Sequence, residues 1–303
     1  HCVVDYQDRY EVMDEVRLQK KLQLADGVVC QLTDPMTRAV IDSAPNLRVI
    51  SQVAVGHDNI DVAAATAREI IVTNTPGVLT EATADLTFAL VLAAARKLPT
   101  AERFLRDGKW QRWDIDLLCG GDVHGQTLGI VGLGRIGQAV ARRAKGFSMR
   151  VLYASRNPAP PAVEQELGVM RVPLDALLRE SDFVSLHVPL NDETRHMISV
   201  PQLCQMKRNA VLINTARGPI VDERALTAAL EEGLLAGAGL DVFEDEPNVP
   251  DELLALPNVV LLPHIGSAVT SVRSLMCAIA ARDCAAALSG GQPEHVVNPE
   301  VLG

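Results

Sequence analysis

At 303 residues, with 48% hydrophobic and 22% charged, the chain is too long for one ordinary core and has the balance of a two-domain globular protein. A formal net charge of −10 speaks against a nucleic-acid or anionic-membrane partner. No apolar run reaches membrane-spanning length, and the opening HCVVDYQD has neither the basic nor the apolar segment of a secretory leader.

The first half begins with two short apolar runs, VVCQL (28–32) and VISQVA (49–54), which read as buried strands. Between them DPMTRAVIDSAP (34–45) starts and stops like a helix. IIVT (70–73) reads as another strand, and the alternation points to a parallel sheet. A helical pattern then runs from Thr80 to Leu98, where Pro99 is expected to block continuation. Residues 100–124 carry Trp110 and Trp113 in a polar, irregular setting and read as an arm outside the core.

A second alternation starts at Leu128. Strand LGIVG is followed by helix RIGQAVARRA and strand MRVLYAS, then by helix LDALLRE and strand DFVSLHV. Helix VPQLCQM, strand AVLINTA, helix DERALTAALEE and the strands AGAGLDV and VVLLP complete it. An Ala-rich helix from Ser267 to Ser289 closes the pattern. The expected fold is α/β, with two Rossmann-like doubly wound domains. A parallel-sheet dinucleotide-binding domain (76–264) is inserted into a flavodoxin-like substrate domain (1–75 and 265–303). The six cysteines, at 2, 30, 119, 204, 277 and 284, show no C-x-x-C and no zinc spacing to His. They read as small core residues in a reducing cytoplasm, and no metal site is expected.

Gly132-Leu133-Gly134-Arg135-Ile136-Gly137 follows a strand and opens a helix, the setting in which G-x-G-x-x-G holds a dinucleotide. Gly132 permits the turn, Gly134 admits the pyrophosphate, and Gly137 lets helix and strand pack closely. The helix N-terminus then offers free N–H groups to the anion. At the end of the next strand, where an NAD site places a carboxylate, the chain has Ser155-Arg156. A guanidinium there suits a 2′-phosphate, so NADP(H) is expected to be preferred, with NAD(H) as the second cofactor. The alternative is a solvated Arg156.

Three further segments, NTARGPIVDE (214–223), LDVFEDEP (240–247) and LLPHIGSA (261–268), each start at or just past a strand end. Carboxyl ends of strands meet at the ligand crevice of a doubly wound sheet, so Arg217, Asp241, Glu246 and His264 are candidates for one cleft. Hydride transfer to a ketone needs a proton donor near neutrality, a role for His264 with Glu246 beside it. Arg217 offers a fork of donors to a carboxylate. Singly, an Arg or Glu is ordinarily a surface charge and a His beside Pro a loop residue; their joint placement carries the reading. His57, His124, His187, His196 and His295 show no acid/base partner in the sequence and read as structural or exposed.

The chain also resembles the D-isomer-specific 2-hydroxyacid dehydrogenases, most closely the glyoxylate/hydroxypyruvate reductase branch. The resemblance rests on VAVGHDNIDV, NTPGVLTEATADLTFAL, TLGIVGLGRIGQAVARRAKGF, ESDFVSLHVPLNDETRHMI, NTARGPIVDE, GLDVFEDEP and LLPHIGSA. It implies Arg217, Glu246 and His264 as the catalytic triad, with Asp241 near the nicotinamide carboxamide. It places Val55 and Gly56 at the substrate as backbone donors to its carboxylate, with Ser267 nearby. Thr83, Val188, Pro189, Thr194, Thr215, Ala216 and Gly266 are implied to line the cofactor. It further implies a homodimer through the nucleotide-binding domain and the 98–124 arm, and a strand and helix ahead of HCVVDYQD that this sequence lacks. The apolar loop VAVG (53–56) and the end at Gly303 disfavour a phosphorylated substrate, and Glu246 stands where formate dehydrogenases have Gln. The expected substrate is therefore a small 2-keto acid such as glyoxylate or hydroxypyruvate. The rival readings are a corepressor on the same fold and a dehydrogenase of another D-2-hydroxy acid.

Overall fold

The computed structural model describes residues 2–7 and 11–302. They fall into two units: one ends at Leu79 and resumes at Ala268, and the other runs without interruption from Thr80 to Ser267.

The smaller unit begins with helix α1 (Glu15–Leu22), whose N-cap Asp14 accepts the Arg17 N–H at 2.8 Å, while Leu18 and Leu22 face inward. Strands β1 (Gly27–Cys30), β2 (Val49–Gln52) and β3 (Ile71–Thr73) form a parallel sheet in that order, linked by helices α2 (Arg38–Asp42) and α3 (Val62–Ala67). Central β2 is buried at every position, and its two polar residues are both partnered: Ser51 shares a hydroxyl bond with Thr73, and Gln52 donates to Asn59 Oδ1 at 2.7 Å.

In the larger unit, α4 (Thr80–Ala95) leads to α5 (Leu98–Arg106). Then come β4 (Thr127–Val131), α6 (Arg135–Lys145), β5 (Arg150–Ala154), α7 (Pro161–Leu167), β6 (Val169–Arg171), α8 (Leu174–Glu180) and β7 (Phe183–Leu186). The unit continues with α9 (Val200–Leu203), β8 (Val211–Asn214), α10 (Glu223–Glu231), β9 (Gly237–Leu240), α11 (Asp251–Ala255) and β10 (Val259–Leu261). The seven strands are all parallel, in the order β10-β9-β8-β7-β4-β5-β6. Strand order reverses between β4 and β7, the switch point at which a doubly wound sheet opens a crevice. Alternate residues feed opposite faces: Ile130 and Tyr153 enter one apolar cluster, Val131 and Leu152 the other.

The chain then returns to the smaller unit as α12 (Thr270–Leu288), which packs on β1 and β2. Beyond it the tail clamps β3. Val297 donates to Val72 O at 2.8 Å, and buried Asn298 accepts the Val72 N–H at 2.8 Å while donating to Ile70 O at 2.9 Å.

The α/β architecture with parallel sheets is as expected, with local corrections. The helix from Thr80 does stop before Pro99, but at Ala95 rather than Leu98, and Pro99 then sits in the first turn of α5, where its missing N–H costs nothing. Helices α1, α3, α5, α7 and α11 and strand β6 were not anticipated, because each is short for periodicity to show; α5 makes the first part of the expected irregular arm helical as far as Arg106. Of the cysteines, Cys30 and Cys284 are buried as expected, but Cys2, Cys119, Cys204 and Cys277 are exposed. Among the described residues, no helix is long and apolar enough to cross a membrane, and no group of His, Cys, Asp and Glu is placed to hold a metal ion.

Candidate active site

The glycine loop occupies the switch point. Gly132 follows β4 with φ +95°, and a Cβ there would meet His187 O at 2.7 Å. A Cβ on Gly137 would lie 2.2 Å from Gly132 O, so helix and loop pack at a distance that glycine alone allows. Around Gly134 nothing lies within 4 Å of the same position, which leaves its face open. Gly134 is also the N-cap of α6 and caps with no side chain, so the first-turn N–H groups are left for an anion. The loop opens on a cavity of about 1010 Å³ whose walls include Gly132, Gly134, Ser155, Arg156, Val188, Pro189 and Thr194. That volume is at the upper end of the roughly 300–1,000 Å³ common for ligand sites, and suits a dinucleotide. Arg135 and Ile136 form the first turn of α6, where the Arg135 side chain is exposed and that of Ile136 packs against the core, so what they turn to the loop is backbone.

At the far wall, Arg156 Nη1 lies 3.2 Å from Glu193 Oε2, and both side chains are largely exposed. Ser155 Oγ donates to Asn157 O at 2.6 Å. Sequence reasoning missed Arg171, which donates to both Ser155 O and Arg156 O at 3.0 Å and lines the same cavity. Its signal was register: Arg171 pairs with Tyr153 across β5 and β6, two residues before Ser155. Thr194 braces the adjoining loop through a bond from its hydroxyl to Pro189 O at 2.7 Å.

The candidate reacting groups stand at or past the ends of β8, β9 and β10. Beyond β8, Asn214 orders the turn by accepting the Ala216 N–H at 3.0 Å and donating to Arg217 O at 2.8 Å. Thr215 shares a 2.8 Å hydroxyl bond with Thr87 of α4, and Arg217 Nη1 donates to Ala216 O at 2.8 Å. Beyond β9, buried Asp241 accepts the N–H groups of Ile265 and Gly266, both at 2.7 Å. Burial pushes its carboxyl up from the ordinary value; the two N–H bonds and the nearby His264 charge oppose this, while Glu246 adds to it. Gly266 O in turn accepts from Thr83 Oγ1 at 3.3 Å.

Glu246 Oε2 lies 2.7 Å from His264 Nδ1, and Glu246 Oε1 accepts the Phe243 N–H at 3.0 Å. Burial opposes ionisation of Glu246, but the His264 hydrogen bond and charge, the Phe243 N–H and the Arg217 charge outweigh it and hold its carboxyl below the ordinary value. His264 is kept at φ +52°, a left-handed backbone that few non-glycine residues adopt. With Nδ1 committed to Glu246, Nε2 is the ring nitrogen left for a ligand oxygen. Arg217, Asp241, Glu246 and His264 therefore form one electrostatic cluster.

The loop bearing Glu246 has supports that the sequence did not disclose. Glu244 N–H donates to Glu223 Oε2 at 3.3 Å, and Glu244 Oε1 lies 2.7 Å from His196 Nε2. Gly218 packs against this loop so closely that a Cβ would fall 1.9 Å from Phe243 C. His196 thus has a carboxylate partner after all, as does His295, whose Nδ1 lies 2.8 Å from buried Asp283. His187 Nε2 is bonded to Ser185 Oγ at 2.8 Å, and burial pulls its imidazole down to about 4. Val55 and Gly56 belong to the smaller unit, in the loop after β2, while half-buried Ser267 closes the larger one.

Comparison with known proteins agrees with this chemistry. Residues 88–266 match the family model of the D-isomer specific 2-hydroxyacid dehydrogenase NAD binding domain. A glyoxylate reductase of Korarchaeum cryptofilum is 55% identical over 285 residues, covering 93% of this chain and 86% of that protein. One from Thermococcus litoralis is 52% identical over 289 residues, covering 94% and 87%. Among solved structures, an NADPH-dependent glyoxylate/hydroxypyruvate reductase from Sinorhizobium meliloti, in complex with NADP and malonate, superposes with TM-score 0.86 at 38% identity, covering 94% of this chain and 87% of that one. The glycine cradle, the cavity beside it and the histidine–carboxylate pair all fit a nicotinamide dinucleotide and its chemistry, and the chain belongs to the D-isomer specific 2-hydroxyacid dehydrogenases, an NAD(P)-dependent oxidoreductase.

Proposed function

We propose that this enzyme reduces small, unphosphorylated 2-keto acids, glyoxylate to glycolate or hydroxypyruvate to D-glycerate, and prefers NADPH to NADH. The observation that carries the reading is the 2.7 Å His264–Glu246 pair, with the Arg217 charge acting on the same carboxylate. The names of the relatives point the same way.

When bound, the reduced nicotinamide supplies the hydride. Gly132, Gly134 and the first turn of α6 would hold its pyrophosphate, Asp241 would serve its carboxamide, and Val188, Pro189, Thr194, Thr215, Ala216, Thr83 and Gly266 would line the rest. His264 holds a proton at Nε2 and gives it to the carbonyl oxygen as that oxygen takes on alkoxide character. Glu246 fixes the ring and balances the imidazolium, so the proton donor is oriented before substrate arrives. Arg217 and Ser267 of the larger unit, and the N–H groups of Val55 and Gly56 of the smaller one, are assigned to the substrate; holding its carboxylate would fix which face of the carbonyl carbon meets the hydride. Ser155 and Arg156 would receive the 2′-phosphate, Arg156 turning to it from Glu193; no carboxylate stands at the end of β5 itself, where one would bind the ribose hydroxyl of NAD instead.

A homodimer through the larger unit and the 98–124 arm is part of the proposal. It is supported by the exposure of Leu105, Trp110, Trp113 and Ile115, more apolar surface than a lone arm needs to present to water. The six free cysteines suit a reducing, cytoplasmic setting. The test is loss of 340 nm absorbance with glyoxylate and hydroxypyruvate, run with each cofactor. Turnover at ordinary enzyme rates with NADPH is expected; absence of turnover with either acid, or a clear NADH preference, would refute the corresponding part.

A further inference from the structure

The loop after β2 uses its backbone in an uneven way. Each of four successive carbonyls has a donor: Ala54 O takes the Thr75 N–H at 2.9 Å, Val55 O takes Asn74 Nδ2 at 2.7 Å, Gly56 O takes Gln52 Nε2 at 3.3 Å, and His57 O takes the Ile60 N–H at 3.0 Å. Among the described residues, no acceptor meets the N–H of Val55, Gly56 or His57. All three residues are half-buried, so these donors are held by the fold yet unused by it. His57 Nδ1 in this loop, and Oγ1 of Thr75, whose N–H holds Ala54 O from the segment after β3, are likewise buried without partners.

A trans peptide is planar, with its C=O and N–H pointing in opposite directions. Whatever holds the carbonyl of one residue therefore aims the N–H of the next. The Thr75 backbone aims the Val55 N–H, Asn74 aims that of Gly56, and Gln52 aims that of His57. Both side chains are themselves fixed. Gln52 is fully buried; its Oε1 accepts from Cys30 Sγ at 3.1 Å and its Nε2 also donates to Asn59 Oδ1 at 2.7 Å. Asn74 is anchored by its own N–H to the carbonyl of His295 at 3.2 Å, and the ring of His295 is pinned by Asp283. Successive N–H groups facing one way make a concave seat for an anion.

We infer, on the reading of Val55 and Gly56 given above, that Asn74 and Gln52 are positioning residues for the substrate carboxylate. They touch no substrate atom; they stop the 55–56 and 56–57 peptides from flipping a carbonyl oxygen into the carboxylate's place. Asn74 carries the larger share, because its bond is shorter and it governs the Gly56 N–H directly.

The test uses enzyme saturated with NADPH, and again with NADH. Oxamate serves as an unreactive carboxylate probe by isothermal titration calorimetry. Glyoxylate and glycolaldehyde serve as substrates with and without the carboxylate. Asn74→Ala is expected to raise the oxamate Kd and the glyoxylate KM together by about tenfold, the size of a lost hydrogen bond to a charged group, with kcat within about threefold. Glycolaldehyde kcat/KM and the cofactor Kd should stay at their wild-type values. Gln52→Met should move the same two constants by about threefold, and decides the matter if Asn74→Ala does not fold. Unchanged oxamate affinity in a folded variant, an equal loss with glycolaldehyde, or a wild-type enzyme that binds no oxamate would each overturn the inference. A wild type that binds oxamate but reduces no glyoxylate would instead refute the proposed function, and the titrations, which need no turnover, would still decide the role of the two amides.

Discussion

Replacing Glu246 by Gln keeps the shape of the side chain and removes its charge. The amide oxygen can still accept from His264 Nδ1–H, so the ring stays oriented while the imidazolium loses its counter-charge. A hydrogen bond to a charged partner contributes about 1.5–3 kcal/mol. The two side chains are 30% and 34% exposed, so water already screens part of that. The lower half of the range applies, about 1.5–2 kcal/mol, which is roughly a 10- to 30-fold fall in kcat. The pH dependence adds a second signature. The Glu246 carboxyl is held below its ordinary value of 4.5, so its ionised form, and the stability that form contributes, is fully present above that pH and is lost as pH falls through the lower folded value. The acid limb that this group gives the wild type should be absent from the variant. The assay is steady-state kcat at saturating substrate and cofactor from pH 4 to 9, alongside NADPH Kd by fluorescence. A kcat within about twofold of wild type across that range, or a cofactor Kd weakened by the same factor as kcat, would show that the carboxylate does not serve the proton donor.

Arg156→Leu should lower kcat/KM for NADPH by about tenfold and leave NADH within about threefold, since the exposed guanidinium makes screened bonds; equal losses would remove it from 2′-phosphate recognition. Gly137→Ala should cost about 1–3 kcal/mol in urea unfolding and weaken both cofactors alike, because its Cβ would lie 2.2 Å from Gly132 O; unaltered stability would contradict the close packing. Stability should fall as pH drops from 6.5 towards about 4, because the unfolded chain protonates His187 while the folded one keeps it neutral. The slope from this group is at most about 1.4 kcal/mol per pH unit, and His187→Gln should flatten the urea midpoint in that window; an unchanged slope would show the ring to be freely titrating.

The strand–helix alternation was legible because parallel strands buried on both faces leave unbroken apolar runs. The glycines were legible because a tight turn at positive φ, with backbone pressed against it, tolerates no side chain at Gly132 or Gly137. The cluster of Arg217, Asp241, Glu246 and His264 followed from one rule, that these strands end on the same edge. What escaped was whatever depends on register or on partners distant in sequence. Arg171 reaches the Ser155-Arg156 turn only because β6 lies beside β5, and β6 itself is three residues long. His196 looked unpartnered because its carboxylate, Glu244, is 48 positions away. The break before Pro99 was legible, but the helix that Pro99 opens was not, because proline was read only as a stop and it also suits a first turn.

The tail that clamps β3 has a consequence for how the protein is made. Everything from Thr80 to Ser267 leaves the ribosome as one uninterrupted stretch holding all the strands of the larger sheet, so that unit gathers its own contacts while translation continues. Strands β1–β3 emerge earlier yet must wait, since α12 and Asn298 are synthesised only after the whole of the larger unit. Their apolar side stays bare over that interval, a window in which a chaperone has something to hold. A stop codon shortly before Asn298 would leave the dinucleotide cradle intact and the smaller sheet without its latch.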